Sequence, residues 1–368
     1  MFQSREGGNL LRWRKEVMTM GEKKRAAVIG YGGMGGWHAK QISEGGVFEL
    51  AGISDPKPSQ QAIAVERGFR VYESNEAVFA DPTVDLVTIA TPNQFHEPIA
   101  IAAMAAGKHV ISEKPVTLSV ASLDRMIAAS EKYGVKFAVH QNRRWDTDFL
   151  AMKQVVSSGA LGEIVSYETR VHGSRGIPGD WRKTKVAGGG MVYDWAVHML
   201  DQALWLFGYD VKSVYCTLDN ITNDEVDDGC QITVTLTSGV RLYVEIGTRN
   251  FIPMPRMYCR GTMGTAISET WQSPVRVTVC EQWTDGGAVV PVKTAAGITK
   301  TMAPRGEETV SSYEVPQPAA DVHDYYRNFA DAIDGKAEQI VTHAQMRRVM
   351  EVIEAAFRSA ASGQVVYF

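Results

Sequence analysis

Arg25-Ala26-Ala27-Val28-Ile29-Gly30-Tyr31-Gly32-Gly33-Met34-Gly35 is the stretch whose reading decides the fold. Residues 26–30 form a short apolar run ending in glycine, as a buried parallel strand does. Gly30, Gly32 and Gly35 have GxGxxG spacing. Such hexamers arise by chance, but one set between a strand and a helix has a physical task. Gly30 permits a tight turn, Gly32 lets the backbone approach a pyrophosphate, and Gly35 lets the helix pack closely on the strand. The free N–H groups at the helix start, around Gly33 and Met34, then face the phosphates.

A second strand spans 48–55 and ends on Asp55, 20 residues beyond Gly35. A carboxylate there accepts hydrogen bonds from the adenosine ribose and repels the 2′-phosphate of NADP, so NAD is the expected cofactor. Lys57 works in the opposite sense, and an aspartate before Pro56 is also an ordinary turn residue.

The alternation continues outward. Strands are expected at 70–72, 84–92, 109–114 and 136–141, with helices at 58–68, 97–107 and 118–134 between them. Strand–helix alternation implies right-handed crossovers and a parallel, doubly wound sheet. Beyond Arg143 the pattern changes. A helix over 149–158, a long strand over 163–172, a glycine-rich loop and a helix over 191–207 lead into strands at 211–218, 230–239, 240–249, 256–261 and 275–283. Polar–apolar alternation in several of these suggests an antiparallel sheet with one open face. Residues 284–318 read as irregular, and helices at 321–334 and 342–361 close the chain. The fold class is therefore α/β: a Rossmann domain over 24–143, then an α/β domain over 144–368 built on a large, mainly antiparallel open-faced sheet, its last helices packing back toward the first domain.

Composition fits that picture. The chain has 368 residues, 45% hydrophobic and 22% charged, enough for two cored domains. A net charge of −4 offers no basic footprint for nucleic acid, and no apolar run approaches the roughly 20 residues a membrane span needs. Cys216, Cys230, Cys259 and Cys280 form no CxxC pair and read as reduced thiols of a cytoplasmic protein. Residues 1–23 include Arg5, Arg12, Arg14 and Lys15, but no apolar segment follows them as in a signal peptide. They read as a disordered tail, or as residues upstream of the true start. Exposed apolar side chains on the open sheet would point to a homodimer or homotetramer joined there.

Two clusters suggest chemistry. Glu113-Lys114-Pro115 ends a parallel strand, where ligands bind in open α/β sheets. In 188–201, Asp194 and His198 stand four residues apart on one helix, so they share a face. Histidine suits removal of an alcohol proton near neutral pH, and a carboxylate beside it can fix its tautomer. Taken singly, a lysine at a strand end or an Asp–His helix pair is ordinary surface or helix chemistry. Trp145, Trp181 and Trp195 could wall a sugar pocket, though aromatics are also core residues. His38, His109, His140 and His323 have no ligand cluster evident in the sequence, so no metal site is expected.

Together the glycine loop, Thr91-Pro92-Asn93-Gln94-Phe95-His96, Glu113-Lys114-Pro115, Asp180-Trp181-Arg182, the glycines before Asp194 and His198, and the closing 357–366 resemble the Gfo/Idh/MocA family from about Arg25 onward. The resemblance implies that Lys114 binds the reacting hydroxyl, His198 is the acid–base and Asp194 orients substrate or His198. It places Thr91, Pro92, Asn93 and His96 near the nicotinamide and Glu113 beside its ribose. Trp181, Arg182, Asn142 and Arg143 would contact substrate or cofactor, and His172 and Arg175, in the variable loop region before Asp180-Trp181-Arg182, would meet the substrate. Trp195 and Ala196 depart from the smaller residue and glycine of many members, and the N-terminal tail is not the export signal of glucose–fructose oxidoreductase. The implied function is NAD-dependent dehydrogenation of a secondary hydroxyl on a sugar, glycoside or cyclic polyol, with oxidation of a glycoside ring hydroxyl such as C3 and inositol oxidation both open. An NAD-dependent glycosidase using transient oxidation and a non-catalytic NAD-binding regulator are the alternatives.

Overall fold

A computed structural model describes residues 23–282 and 287–368; the expected tail, but for Lys23, lies outside them. Strands β1 (Arg25–Ile29), β2 (Glu49–Ser54), β3 (Leu86–Ile89), β4 (His109–Ser112) and β5 (Phe137–Val139) pair in parallel in the order β2-β1-β3-β4-β5. Val71 bridges Ile53 in parallel on the far side of β2. Counting that bridge as a strand gives the 3-2-1-4-5-6 order of a dinucleotide fold. Helices α1 (Gly33–Gly45), α2 (Pro58–Glu66), α3 (Asn75–Ala80), α4 (His96–Ala105) and α5 (Val120–Tyr133) connect the strands. The sequence reading missed α3, a short helix capped by the Ser74 hydroxyl, which accepts the Ala77 N–H.

The second unit opens with α6 (Thr147–Ser157) and β6 (Ile164–His172). A π-helical turn over Val192–Ala196 runs into α7 (Val197–Phe207). Then follow β7 (Val211–Asp219), β8 (Gly229–Leu236), β9 (Arg241–Gly247), β10 (Met257–Gly261), β11 (Gly264–Ser268), β12 (Val275–Cys280), the hairpin β13 (Val292–Thr294) and β14 (Gly297–Thr299), β15 (Val310–Val315), α8 (His323–Ile333), α9 (His343–Ser362) and β16 (Val366–Tyr367). Nine strands form one sheet, β15-β12-β11-β10-β6-β9-β8-β7-β16, antiparallel except where β6 meets β9.

Two expectations are corrected. The stretch expected to be irregular supplies β15, which pairs with β12 from Val310 to Val315 and extends the sheet edge. The open face is polar, not apolar. Along β9, Leu242, Val244 and Ile246 turn inward and are buried, while Arg241, Tyr243 and Glu245 take the outer face. Period-two alternation had put the apolar residues on the covered side, against the helices.

The C-terminal helices reach the first sheet. The α9 helix packs on β7, α7 and α5. The Val139 N–H donates to Met346 Sδ at 3.2 Å, and its carbonyl accepts from the Tyr325 hydroxyl at 3.0 Å. Phe137 O lies 2.9 Å from the Gln339 amide and 3.0 Å from His343 Nε2. Side chains thus close the free edge of β5, which would otherwise offer unpaired backbone groups.

Candidate active site

The glycine turn has the shape its spacing implies. Gly30 sits at φ +88°, and a Cβ there would lie 2.6 Å from Ala90 O. A Cβ on Gly35 would lie 1.8 Å from Gly30 O, whereas at Gly32 and Gly33 nothing stands within 4 Å. The α1 helix starts without a side-chain cap and without an acidic residue in its first turn, which also contains the half-buried Met34. Free amides, open space and no opposing charge suit a pyrophosphate. Asp55 accepts the Tyr31 N–H at 2.7 Å and the Lys57 N–H at 2.8 Å, bracing this turn against the end of β2.

The residues expected around the nicotinamide divide. Thr91 and Pro92 are half-buried at the end of β3. Asn93 donates to Gly188 O at 2.8 Å and so ties the turn to the second unit. His96 is fully buried, its ring nitrogens 2.9 Å from Pro115 O and Thr91 O. It ties two loops together, both ring nitrogens being taken up by backbone carbonyls of the loops that hold Thr91 and Pro115. Glu113 is also buried, within 2.8 Å of both His38 Nε2 and His140 Nδ1. No local pattern announces this cluster, because α1 and the ends of β4 and β5 meet there only in space.

Lys114, Asp194 and Arg182 converge. Lys114 Nζ donates to Asp194 Oδ1 at 2.9 Å and to its carbonyl at 2.8 Å, and Arg182 Nε donates to Oδ2 at 3.1 Å. Burial alone would raise the Asp194 carboxyl pKa. The neighbouring ammonium and guanidinium outweigh burial and hold it below the usual carboxylate range. Trp181 supports Arg182, whose guanidinium stacks on its ring at 4.6 Å. His198 is buried one helical turn on, and its Nδ1 has no hydrogen-bond partner among the described residues. Burial first, then the charges of Lys114 and Arg143, push its pKa well below the ordinary histidine value, so the ring is neutral. Asp194 therefore does not fix the His198 tautomer as expected; its oxygens are engaged by the two cations.

Beyond Asp194 opens a cavity of about 630 Å³, lined by Arg143, His172, Arg175, Asp194, Trp195 and Trp271 among others. Trp195 and Trp271 lie 5.9 Å apart, and Arg143 covers them at 4.3 and 5.4 Å. His172 Nδ1 accepts the Met254 N–H, and Arg175 is exposed on the wall. Asn142 is half-buried at the start of the short turn that also holds Arg143. Trp145 is not a wall of this cavity; it packs edge-on against Tyr325. The sequence reading missed Trp271, which reaches the pocket from the β11–β12 connection. It also missed Arg144, fully buried with two bonds to Asp201 at 2.7 and 2.8 Å, which fixes the Asn142–Trp145 turn to α7.

Comparison with known proteins agrees across the chain. Residues 24–141 match the oxidoreductase family model with an NAD-binding Rossmann fold, and residues 149–267 match the GFO/IDH/MocA C-terminal domain. An uncharacterized oxidoreductase of Escherichia coli, YdgJ, is 31% identical over 93% of this chain and 97% of its own. The scyllo-inositol 2-dehydrogenase (NADP(+)) IolW of Bacillus subtilis is 27% identical over 95% of this chain and 96% of its own. The crystal structure of an NAD-binding protein from Listeria innocua superposes with a TM-score of 0.91 at 41% identity, covering 94% of this chain and 99% of that one.

Proposed function

The chain belongs to the Gfo/Idh/MocA family and is an NAD(P)-dependent oxidoreductase; from that premise we propose that it oxidises a ring hydroxyl of a sugar, glycoside or cyclic polyol. The observation behind this reading is the Lys114–Asp194–Arg182 convergence beside neutral His198, at the head of an aromatic cavity. Lys114 donates a hydrogen bond to the reacting oxygen and stabilises its developing negative charge. His198 takes the hydroxyl proton and returns it in the reverse direction. Asp194 holds the Lys114 ammonium and offers its carboxylate to a neighbouring hydroxyl. A dinucleotide, when bound, would supply the hydride acceptor for the carbon that bears the reacting hydroxyl. The glycine turn and the uncapped start of α1 suit its pyrophosphate, and Thr91, Pro92, Glu113, Asn142 and Arg143 suit its nicotinamide end.

Asp55 favours NAD over NADP. IolW, by its name, uses NADP(+), so affinities for both cofactors decide this point, and tighter binding of NADP would overturn it. The cavity runs past Asp194 along Trp195 and Trp271 toward Arg175, leaving room beyond a single reacting ring. That favours a glycoside over free inositol. Turnover of glycosides, free sugars and inositols with NAD, read by absorbance and product analysis, tests the assignment. Cleavage without net NADH identifies a glycosidase, and binding of NAD without turnover of any class identifies a regulator. We assign 24–143 to the cofactor and 144–368 to substrate and assembly, with a homodimer or homotetramer joined through the outer sheet face.

A further inference from the structure

The connection between β7 and β8, residues 220–228, carries an acidic run, Asp224-Glu225-Val226-Asp227-Asp228, that the reaction described above does not use. The connection is braced from within. Asn223 Oδ1 accepts the Glu225 N–H at 2.8 Å and the Val226 N–H at 2.9 Å, and Asn220 Nδ2 donates to Val226 O at 2.9 Å. The Asp228 carboxylate accepts the Ile221 N–H at 3.1 Å and the Thr222 hydroxyl at 2.8 Å. Side chains that bond their own backbone in this way hold a loop in one shape.

Two segments of the site rest on this connection. One is the stretch that carries Arg182: Asn223 Nδ2 donates to Lys183 O at 3.2 Å, and the Lys185 N–H donates to Glu225 Oε1 at 2.8 Å. The other is the π turn that carries Asp194. Met191, which precedes that turn, offers no side-chain cap to the free N–H groups there. Asp227 supplies the cap from 35 residues away, its Oδ2 accepting the Val192 N–H at 2.8 Å, and its carbonyl accepts the Met191 N–H at 3.1 Å. The two segments are also joined to each other, since the Gly190 N–H donates to Arg182 O at 3.0 Å and Gly190 O accepts the Asp194 N–H at 3.1 Å. Gly190 sits at φ +101°, and a Cβ there would lie 2.3 Å from Asp227 Oδ1, so the carboxylate is seated directly against the turn. Asp227 is 5% exposed. Burial raises its pKa to about 6 against the pull of the Val192 and Met191 N–H groups, which leaves it ionised at neutral pH. A negative charge at the start of a helix is favourable.

We propose that Asp227 is a positioning residue for the hydroxyl end of the site: by fixing the turn that opens the helix, it holds the Asp194 carboxylate between Lys114 and Arg182. It acts through Asp194 and transfers no proton itself. This rests on the dehydrogenase reading.

The test is a double-variant cycle on the full chain, run with NAD and whichever glycoside, free sugar or inositol turns over fastest. Asp227→Ala removes the acceptor for the Val192 N–H, whereas Asp227→Asn keeps one. Misplacing a group beside the reacting atoms costs on the order of 10–100-fold, so Asp227→Ala should lower kcat by that factor at unchanged NAD affinity. Asp227→Asn should restore most of the loss. In an Asp194→Ala background, Asp227→Ala should cost less than about twofold, because the group it positions is already gone. Should Asp227→Ala fail to fold, Asp227→Ser, whose side chain is too short to take its place, is read in the same cycle. Native kcat in the folded variant overturns the proposal, and so does an equal loss in both backgrounds, which marks a general structural role. A native protein that turns over none of these substrates overturns the dehydrogenase reading, and the proposal with it.

Discussion

At the residue scale, the division of labour between Lys114 and His198 has measurable consequences. Removing a general acid–base group costs roughly 10²–10⁴-fold in rate. His198→Ala and Lys114→Ala should each lose turnover in that range while NAD affinity changes little, because the glycine turn and Asp55 are untouched. Single-turnover rates with cofactor titration check this; near-native turnover in both would remove the assigned roles. Neutral His198 also sets a pH dependence. Protonation abolishes its capacity as a base, and its pKa is depressed, so the acid limb of kcat/KM for oxidation should lie below pH 6.5. A limb centred above that value would show that another group controls the profile.

Among the elements, the turn before α1 separates two kinds of glycine. Gly35→Ala drives a Cβ to 1.8 Å from Gly30 O, so α1 must shift off β1. Overpacking of this sort costs typically 1–3 kcal/mol, and Gly35→Ala should lower both thermal stability and nucleotide affinity. Gly32→Ala meets empty space and should weaken only nucleotide binding; a comparable loss of stability would contradict this. The Arg144–Asp201 pair is a second lever. Asp201→Ala leaves a buried guanidinium without its carboxylate, expected to cost about 3–5 kcal/mol by denaturant unfolding. The glycines, the strand–helix alternation and the helix bearing Asp194 and His198 were legible because they are local signals, written in residues a few positions apart. Trp271, Arg144 and the His38–Glu113–His140 cluster were not, since each acquires its role from partners distant in the chain. The π turn over Val192–Ala196 leaves no period in so few residues, and it separates Asp194 from an ideal α-helical pairing with His198.

For the whole molecule, buried neutral histidines tie stability to pH. His38 titrates near 4 in the folded protein against 6.5 ordinarily, and burial also depresses His96 and His198. Below pH 6.5 the unfolded chain takes up protons that the native state refuses, so stability is full above that value and falls as pH drops. The His38 term alone is on the order of 3 kcal/mol by pH 4. Unfolding midpoints that stay flat between pH 7 and 4.5 would disprove this. Assembly is a separate question. With charged and tyrosine side chains on the outer sheet face, association should weaken with salt more than an apolar interface would; light scattering across ionic strength reads it, and a monomer at micromolar concentration in low salt counts against any sheet-to-sheet dimer. The closure of β5 by Tyr325, Gln339, His343 and Met346 bears on biogenesis. The strand leaves the ribosome about 200 residues before its caps, a wait of roughly 10–40 s at ordinary elongation rates. Throughout that interval the nascent nucleotide fold presents a β-edge without its side-chain caps, a stage at which translation speed and chaperone supply bear on folding yield.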